Sequence, residues 1–160
     1  MTIAVGDTLP SVPLILVTGE GPETIEPRDY FAGRRVALFC VPGAFTPICS
    51  ARHLPGFVEQ ADALKAKGID EIAALAVNDP FVMAAWGKQG GAEGKVALLS
   101  DGNAAFVTAL GLDADLSAFG MGTRGQRFSM VVDNGIVTQL NVEEGGSFGV
   151  SSAEHLLEHL

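Results

Sequence analysis

Apolar positions in this chain fall into short blocks set between Gly, Pro, Asn and Asp rather than into one sustained period. The block from Arg35 to Val41 is apolar at every position after the first and stops at Pro42-Gly43, as a strand covered on both faces does. Ile72 to Val77 repeats that pattern, and Val96 to Leu99 makes a third short buried strand. Between the first two, Phe57, Ala61 and Leu64 recur near helical spacing through Lys67, with Gly68 as the stop. This predicts one long helix, bent near its start at Pro55. Asn78-Asp79-Pro80 opens a second helix through Phe81, Val82, Ala85 and Trp86, and residues 103–110 read as a short third one ending at Gly111.

Towards the C-terminus the pattern changes. Phe128 to Asp133 and Ile136 to Val142 flank Asn134-Gly135, a strong hairpin signal, so the sheet is expected to become antiparallel here. Ser151 stands three residues before Glu154, a spacing that predicts reciprocal capping of a final helix. A β-α-β unit followed by β-β-α is the thioredoxin-like order: an α/β fold with a central mixed β-sheet flanked by helices. No repeat, low-complexity tract or linker interrupts the chain, so residues 1–160 are read as a single domain.

Composition and charge narrow the classes of function. The chain is 48% hydrophobic, which excludes a disordered polymer, yet no apolar run reaches the roughly 20 residues of a membrane span. Nineteen acidic against ten basic side chains give a net charge of -9, which repels phosphate backbones and anionic lipid, so neither nucleic acid nor membrane is an expected partner. The N-terminal residues carry no basic, apolar or Arg-rich targeting pattern, and a cytoplasmic location is the expectation. With only Cys40 and Cys49, a disulfide framework or a zinc site is not expected; the cysteines are core or reactive.

Cys49 is where the chemistry concentrates. The segment Val41-Pro42-Gly43-Ala44-Phe45-Thr46-Pro47-Ile48-Cys49-Ser50 leaves a buried strand, turns through Pro-Gly, and carries a cysteine into the first turn of a helix. Unpaired N–H groups and the positive end of the helix dipole favour a thiolate there. Taken alone, a cysteine in an apolar chain is more often a small buried hydrophobe than a catalyst, and it is the Pro-Gly-x-x-Thr-Pro context that reverses this. The same N–H groups would hold an incoming oxygen. Thr46, one turn upstream, would accept from a substrate and donate to the sulfur, or cap the helix. Pro42 and Pro47 would shield the sulfur from water. A cation is needed nearby, and Arg52, Arg124 and Arg127 are the candidates. Arg127 is preferred because it begins the strand expected beside the catalytic one. His53, one turn after Cys49, reads as a satisfied structural histidine that also has the option of tuning the sulfur. Trp86 and the phenylalanines read as core or interface anchors.

These residues resemble a known family. Pro42-Gly43-Ala44-Phe45-Thr46-Pro47-x-Cys49-Ser50 with His53-Leu54-Pro55-Gly56-Phe57, then Val77-Asn78-Asp79-Pro80-Phe81-Val82-Met83 and Arg127 to Val132, are similar to the peroxiredoxin 5 (type II) group. The resemblance implies a thioredoxin fold, reduction of hydrogen peroxide and alkyl hydroperoxides, and commonly a homodimer, with no metal or organic cofactor. It makes Cys49 the peroxidatic cysteine, places Thr46 and Pro42 in its pocket, and makes Arg127 the active-site arginine.

One departure matters. The attacked cysteine becomes a sulfenic acid that another thiol must resolve. The family's two usual resolving positions fall here at Ala74 and at Val150-Ser151-Ser152, and neither holds a cysteine. Cys40, inside a buried strand, reads as core packing, with resolution as its alternative role. The expectation is a one-cysteine cycle closed by an external thiol: glutathione, with or without glutaredoxin, or thioredoxin. The competing reading is a peroxide sensor that passes oxidation to a partner protein. A cysteine hydrolase is disfavoured because only His53 is near in sequence to serve as the base of an oriented pair, and a disulfide oxidoreductase because the Cys-x-x-Cys it needs is missing.

Overall fold

The computed structural model describes residues 1–160, apart from the side chain of Cys49. The chain runs β1 (Leu14–Thr18), β2 (Gly21–Ile25), α1 (Pro27–Tyr30), β3 (Arg35–Cys40), a π-helical turn (Cys49–His53), α2 (Leu54–Glu59), α3 (Ala61–Ala66), β4 (Glu71–Ala76) and α4 (Pro80–Gln89). It continues through β5 (Ala97–Ser100), α5 (Ala105–Leu110), β6 (Asp113–Asp115), a 3-10 turn (Ser117–Phe119), β7 (Thr123–Gly125), β8 (Phe128–Asp133), β9 (Ile136–Val142) and α6 (Ala153–Glu158).

Seven strands form one mixed sheet in the order β2-β1-β5-β4-β3-β8-β9, and β6-β7 make a separate ribbon. The three apolar blocks become the parallel strands β3, β4 and β5, buried on both faces as their unbroken hydrophobicity requires. β8 pairs antiparallel with β3, setting Phe128 opposite Cys40. The β8-β9 turn has Asn134 at φ 50° and Gly135 at φ 81°, the left-handed pair that a two-residue hairpin turn requires. This is the thioredoxin-like α/β fold.

Side-chain alternation along β3 divides the core. Ala37, Phe39 and Val41 pack with Leu54 and Phe57 of α2, Leu64 of α3, Met83 and Trp86 of α4, and Leu156 of α6. Val36, Leu38 and Cys40 face the other way, onto Phe31, Phe106, Val107 and Leu110. Cys40 is fully buried in that second layer, on the opposite side of the sheet from α2.

Two local expectations are corrected. The long helix is three pieces. Pro55 has no N–H to give to the preceding turn, and the backbone just before it widens into the π turn over Cys49–His53. A second break at Gln60 (φ -92°, ψ 7°) separates α2 from α3, and nothing in the local sequence marks it. At the C-terminus the cap of α6 is Ser152, whose Oγ accepts from the His155 N–H at 3.1 Å. Ser151 is buried, and its hydroxyl donates to Glu143 instead, because a carboxylate is the stronger acceptor within its reach. The β1-β2 hairpin and the β6-β7 ribbon are additions to the expected elements.

Candidate active site

The site lies where β3, β4 and β5 all end. The loop after β3 is tied to the loop after β4 by the Ala44 N–H, which donates to Asn78 Oδ1 at 2.9 Å. Asn78 is fixed in turn by the Ser100 hydroxyl, which donates to its carbonyl at 2.5 Å. Within the loop, Phe45 takes the left-handed backbone (φ 66°), uncommon for an aromatic residue, and its ring is 46% exposed.

Thr46 bonds inward: its hydroxyl donates to Gly43 O at 2.7 Å, and its carbonyl accepts from the Ser50 N–H at 3.0 Å. A hydroxyl has one proton, so with Gly43 O as its acceptor only the oxygen lone pairs face outwards. In this arrangement Thr46 can accept from a substrate O–H and does not donate to a sulfur. Pro42 is half-buried and its carbonyl accepts from Arg124 Nη1 at 3.3 Å, while Pro47 is exposed. Arg124 Nε also donates to Met121 O at 2.9 Å, so this arginine holds the turn leading into β7 against the Pro42-Gly43 turn.

The turn Cys49–His53 carries the sequence-predicted nucleophile, and the side chain of Cys49 lies outside the described residues. Four positions on, His53 is fully buried among Phe39, Phe57 and Phe148, with ring centroids 4.8, 5.7 and 5.0 Å away. Both its nitrogens are partnered: Nε2 lies 2.9 Å from Ser151 O, and Nδ1 lies 2.9 Å from Arg127 Nη1. A carbonyl only accepts, so Nε2 carries the proton and Nδ1 accepts from the guanidinium. Burial, and then the Arg127 charge, push the His53 pKa down to about 3, against weaker opposing pulls from Ser151 O and Glu143. The ring is therefore neutral at any physiological pH.

Arg127 immediately precedes β8, beside the end of β3, where it was expected. Its guanidinium carbon sits 5.9 Å from the Phe148 ring centre, and that of Arg52 sits 4.7 Å from the same ring. The structure thus brings Arg127 and His53 together behind the Cys49 turn and puts Arg124 on the Pro42 side. Phe148, Glu143 and Asn78 are contributors that sequence reasoning missed. Asn78 had a signal, since it stands at the end of a predicted strand beside a helix cap.

The family model described as Redoxin matches residues 4–157. Peroxiredoxin-2C of Oryza sativa subsp. japonica is 49% identical over 159 residues, which cover 99% of this chain and 98% of that protein. The crystal structure of reduced Prx3 from Vibrio vulnificus in complex with hydrogen peroxide has a TM-score of 0.95 at 52% identity, covering 99% of each chain. Peroxiredoxin 5 from Alvinella pompejana has a TM-score of 0.86 at 34% identity, covering 98% of this chain and 96% of that one.

Fold, cysteine-bearing turn and these likenesses together define a thiol-dependent peroxidase. The chain belongs to the Redoxin family and, within it, to the peroxiredoxins.

Proposed function

We propose that Cys49 is the peroxidatic cysteine of a one-cysteine cycle, that Thr46, Pro42 and Arg127 form its pocket, and that an external thiol regenerates it. The thiolate attacks one peroxide oxygen and the O–O bond breaks. The sulfur becomes a sulfenic acid, and the other oxygen leaves, with a proton, as water or an alcohol. A small thiol then forms a mixed disulfide with loss of water, and a second thiol releases Cys49 as the reduced form. Glutathione, alone or through glutaredoxin, and thioredoxin are the reductants of this reading.

The observation that carries it is the 2.9 Å contact between Arg127 Nη1 and His53 Nδ1. It aims a permanently charged fork at the turn that bears Cys49, and a guanidinium can serve a thiolate and a peroxide oxygen together. The outward lone pairs of Thr46 suit the O–H of a hydroperoxide. Cys40 lies across the sheet from α2, which supports core packing over resolution.

The finer assignment is the peroxiredoxin 5 (type II) group, on the motif from Pro42 to Phe57, with a cytoplasmic homodimer as the working form. The dimer is supported by Phe45 in the loop after β3, Phe81 in the first turn of α4 and Phe119 at the end of the 3-10 turn, which are 46%, 71% and 77% exposed and together leave much aromatic surface uncovered. Stopped-flow mixing of wild type, Cys49→Ser and Cys40→Ser with hydrogen peroxide and an organic hydroperoxide tests the cycle, followed by turnover with glutathione/glutaredoxin and with thioredoxin. The reading requires Cys49→Ser to be inert and Cys40→Ser to turn over. Loss of turnover with every thiol in Cys40→Ser, its first oxidation intact, would overturn the one-cysteine cycle.

A further inference from the structure

We propose that Glu143 is a positioning residue for Arg127, acting through Ser151 and His53, so that a buried carboxylate behind the site sets how the arginine meets the peroxide. The inference rests on the peroxidase reading above.

Glu143 directly follows β9 and touches Arg127 by two routes. Its backbone N–H donates to Arg127 O at 3.0 Å, which fixes the main chain from which the guanidinium extends. Its side chain works on the other end. Oε2 accepts from Gly149 N at 2.7 Å, Ser151 N at 2.8 Å and Ser151 Oγ at 2.6 Å. Burial opposes the charge on this carboxylate, but the Ser151 hydroxyl and the N–H groups of residues 149–151 outweigh it and hold the pKa below the ordinary glutamate value.

The connecting segment contains Gly145 (φ 56°), Gly146 and Gly149, which give it little stiffness of its own. With its N–H and its hydroxyl both bound to Glu143, Ser151 is held by main chain and side chain one ψ rotation from its own carbonyl, and that carbonyl accepts from the His53 Nε2–H. The bond selects one tautomer of a neutral ring. Only that tautomer offers a lone pair to Arg127 Nη1; the other would set N–H against N–H. Backbone and side chain of Arg127 are therefore held from the same glutamate. A tie that merely fastened the 144–152 segment to the sheet would not need its held carbonyl to be the one facing His53.

The test uses the whole chain as Glu143→Ala, Glu143→Asp, Glu143→Gln and Ser152→Ala, each read twice: the second-order rate of Cys49 oxidation by hydrogen peroxide, and the ring 15N signals of His53. Misplacing an orienting group by about 1 Å can cost on the order of 100-fold in rate. Glu143→Ala is accordingly expected to lose roughly ten- to a hundred-fold, with His53 leaving the single Nε2–H tautomer. Glu143→Asp, which withdraws the carboxylate by one methylene, moves both readouts the same way and stands in if the alanine variant does not fold. Glu143→Gln, whose amide oxygen still offers two lone pairs to the Ser151 N–H and hydroxyl, restores most of the rate. Ser152→Ala removes the α6 cap, lowers stability and leaves both readouts alone. Wild-type rates in folded Glu143→Ala or Glu143→Asp, or a lost rate with unchanged His53 signals, overturn the proposal. A wild-type protein lacking any Cys49-dependent peroxide reaction would overturn the peroxidase reading instead.

Discussion

Arg127 Nη1 meets a neutral imidazole nitrogen of His53 at 2.9 Å, at the end of the strand pair β3-β8. A carboxylate in that place would orient the arginine equally well but would also cancel much of its charge. A neutral ring directs the guanidinium without cancelling its charge, as the proposed role of Arg127 beside the Cys49 turn requires.

Replacing His53 by Ala should therefore slow peroxide reduction while Arg127 is still present. Loss of orientation in an otherwise intact charge is expected to cost about ten- to a hundred-fold in the second-order rate. The vacated space and the stranded Ser151 carbonyl add a stability cost of roughly 1–3 kcal/mol. Stopped-flow rates, measured well below the melting temperature, separate the two effects, and a wild-type rate would remove His53 from the site.

The same ring makes stability depend on pH. The unfolded chain binds a proton at His53 below about 6.5, whereas the native ring does so only near 3, so between these values the unfolded state holds more protons. This contribution is complete above pH 6.5 and is lost progressively as pH falls towards 3. Glu143, whose pKa is also lowered, acts in the same direction: its part is present above the unfolded glutamate value and fades as pH drops through the native one. At about 1.4 kcal/mol per pH unit, the His53 share at pH 4.5 is on the order of 3 kcal/mol. Urea midpoints at pH 7.5 and 4.5 should separate for a Cys49→Ser protein and draw together when His53→Gln is added. An unchanged gap would show that other groups carry it.

Much of this frame is legible in the sequence. The blocks 35–41, 72–77 and 96–99 became parallel strands because a two-sided burial leaves an unbroken apolar run, and Asn134-Gly135 became a hairpin because few other pairs suit two left-handed residues in a row. The position of Thr46 in the loop after β3 and that of Arg127 beside the end of β3 followed from local motif and strand order. What escaped was set by partners distant in sequence. Ser151 has the right spacing to cap α6, and its recruitment by Glu143 depends on β9 lying beside Arg127. Glu143 itself, in an acidic pair before two glycines, looks like solvent-exposed loop; no hydropathy pattern reveals a carboxylate with three donors. The π turn needed Pro55 to be read as a demand on the residues before it rather than as a bend in the helix after it.

Cys40 supplies a packing prediction. A Cβ added to Gly125 would stand 2.6 Å from Cys40 Sγ and 3.1 Å from Val107 Cγ1, in a layer with no room to yield. Gly125→Ala should lose roughly 1–3 kcal/mol by overpacking. Because the sulfur is the nearest obstacle, Cys40→Ala should recover part of that loss, with a coupling of about 1 kcal/mol or more in a double-mutant cycle. Strict additivity would mean that the strain falls on Val107 rather than on Cys40.

Arg124 and Arg127 approach the site from different sides, and their bonds assign them different work. Arg124 donates to two backbone carbonyls, Met121 O and Pro42 O, so it braces one loop against another. Arg127 is directed by a side chain whose other nitrogen is anchored to Ser151. Removing a preorganised donor that acts on developing charge costs about 100- to 1000-fold in rate, and Arg127→Gln should fall in that range with hydrogen peroxide. Arg127→Lys should recover little, since a point charge cannot reproduce a fork that bonds His53 on one arm and, in the proposed cycle, serves the reacting atoms with the other. Arg124→Gln loosens the Pro42-Gly43 turn without removing that fork, and its loss should be nearer tenfold or less. The two rate constants, measured side by side on folded variants, decide the matter: a larger loss from Arg124→Gln would exchange the roles of the two arginines.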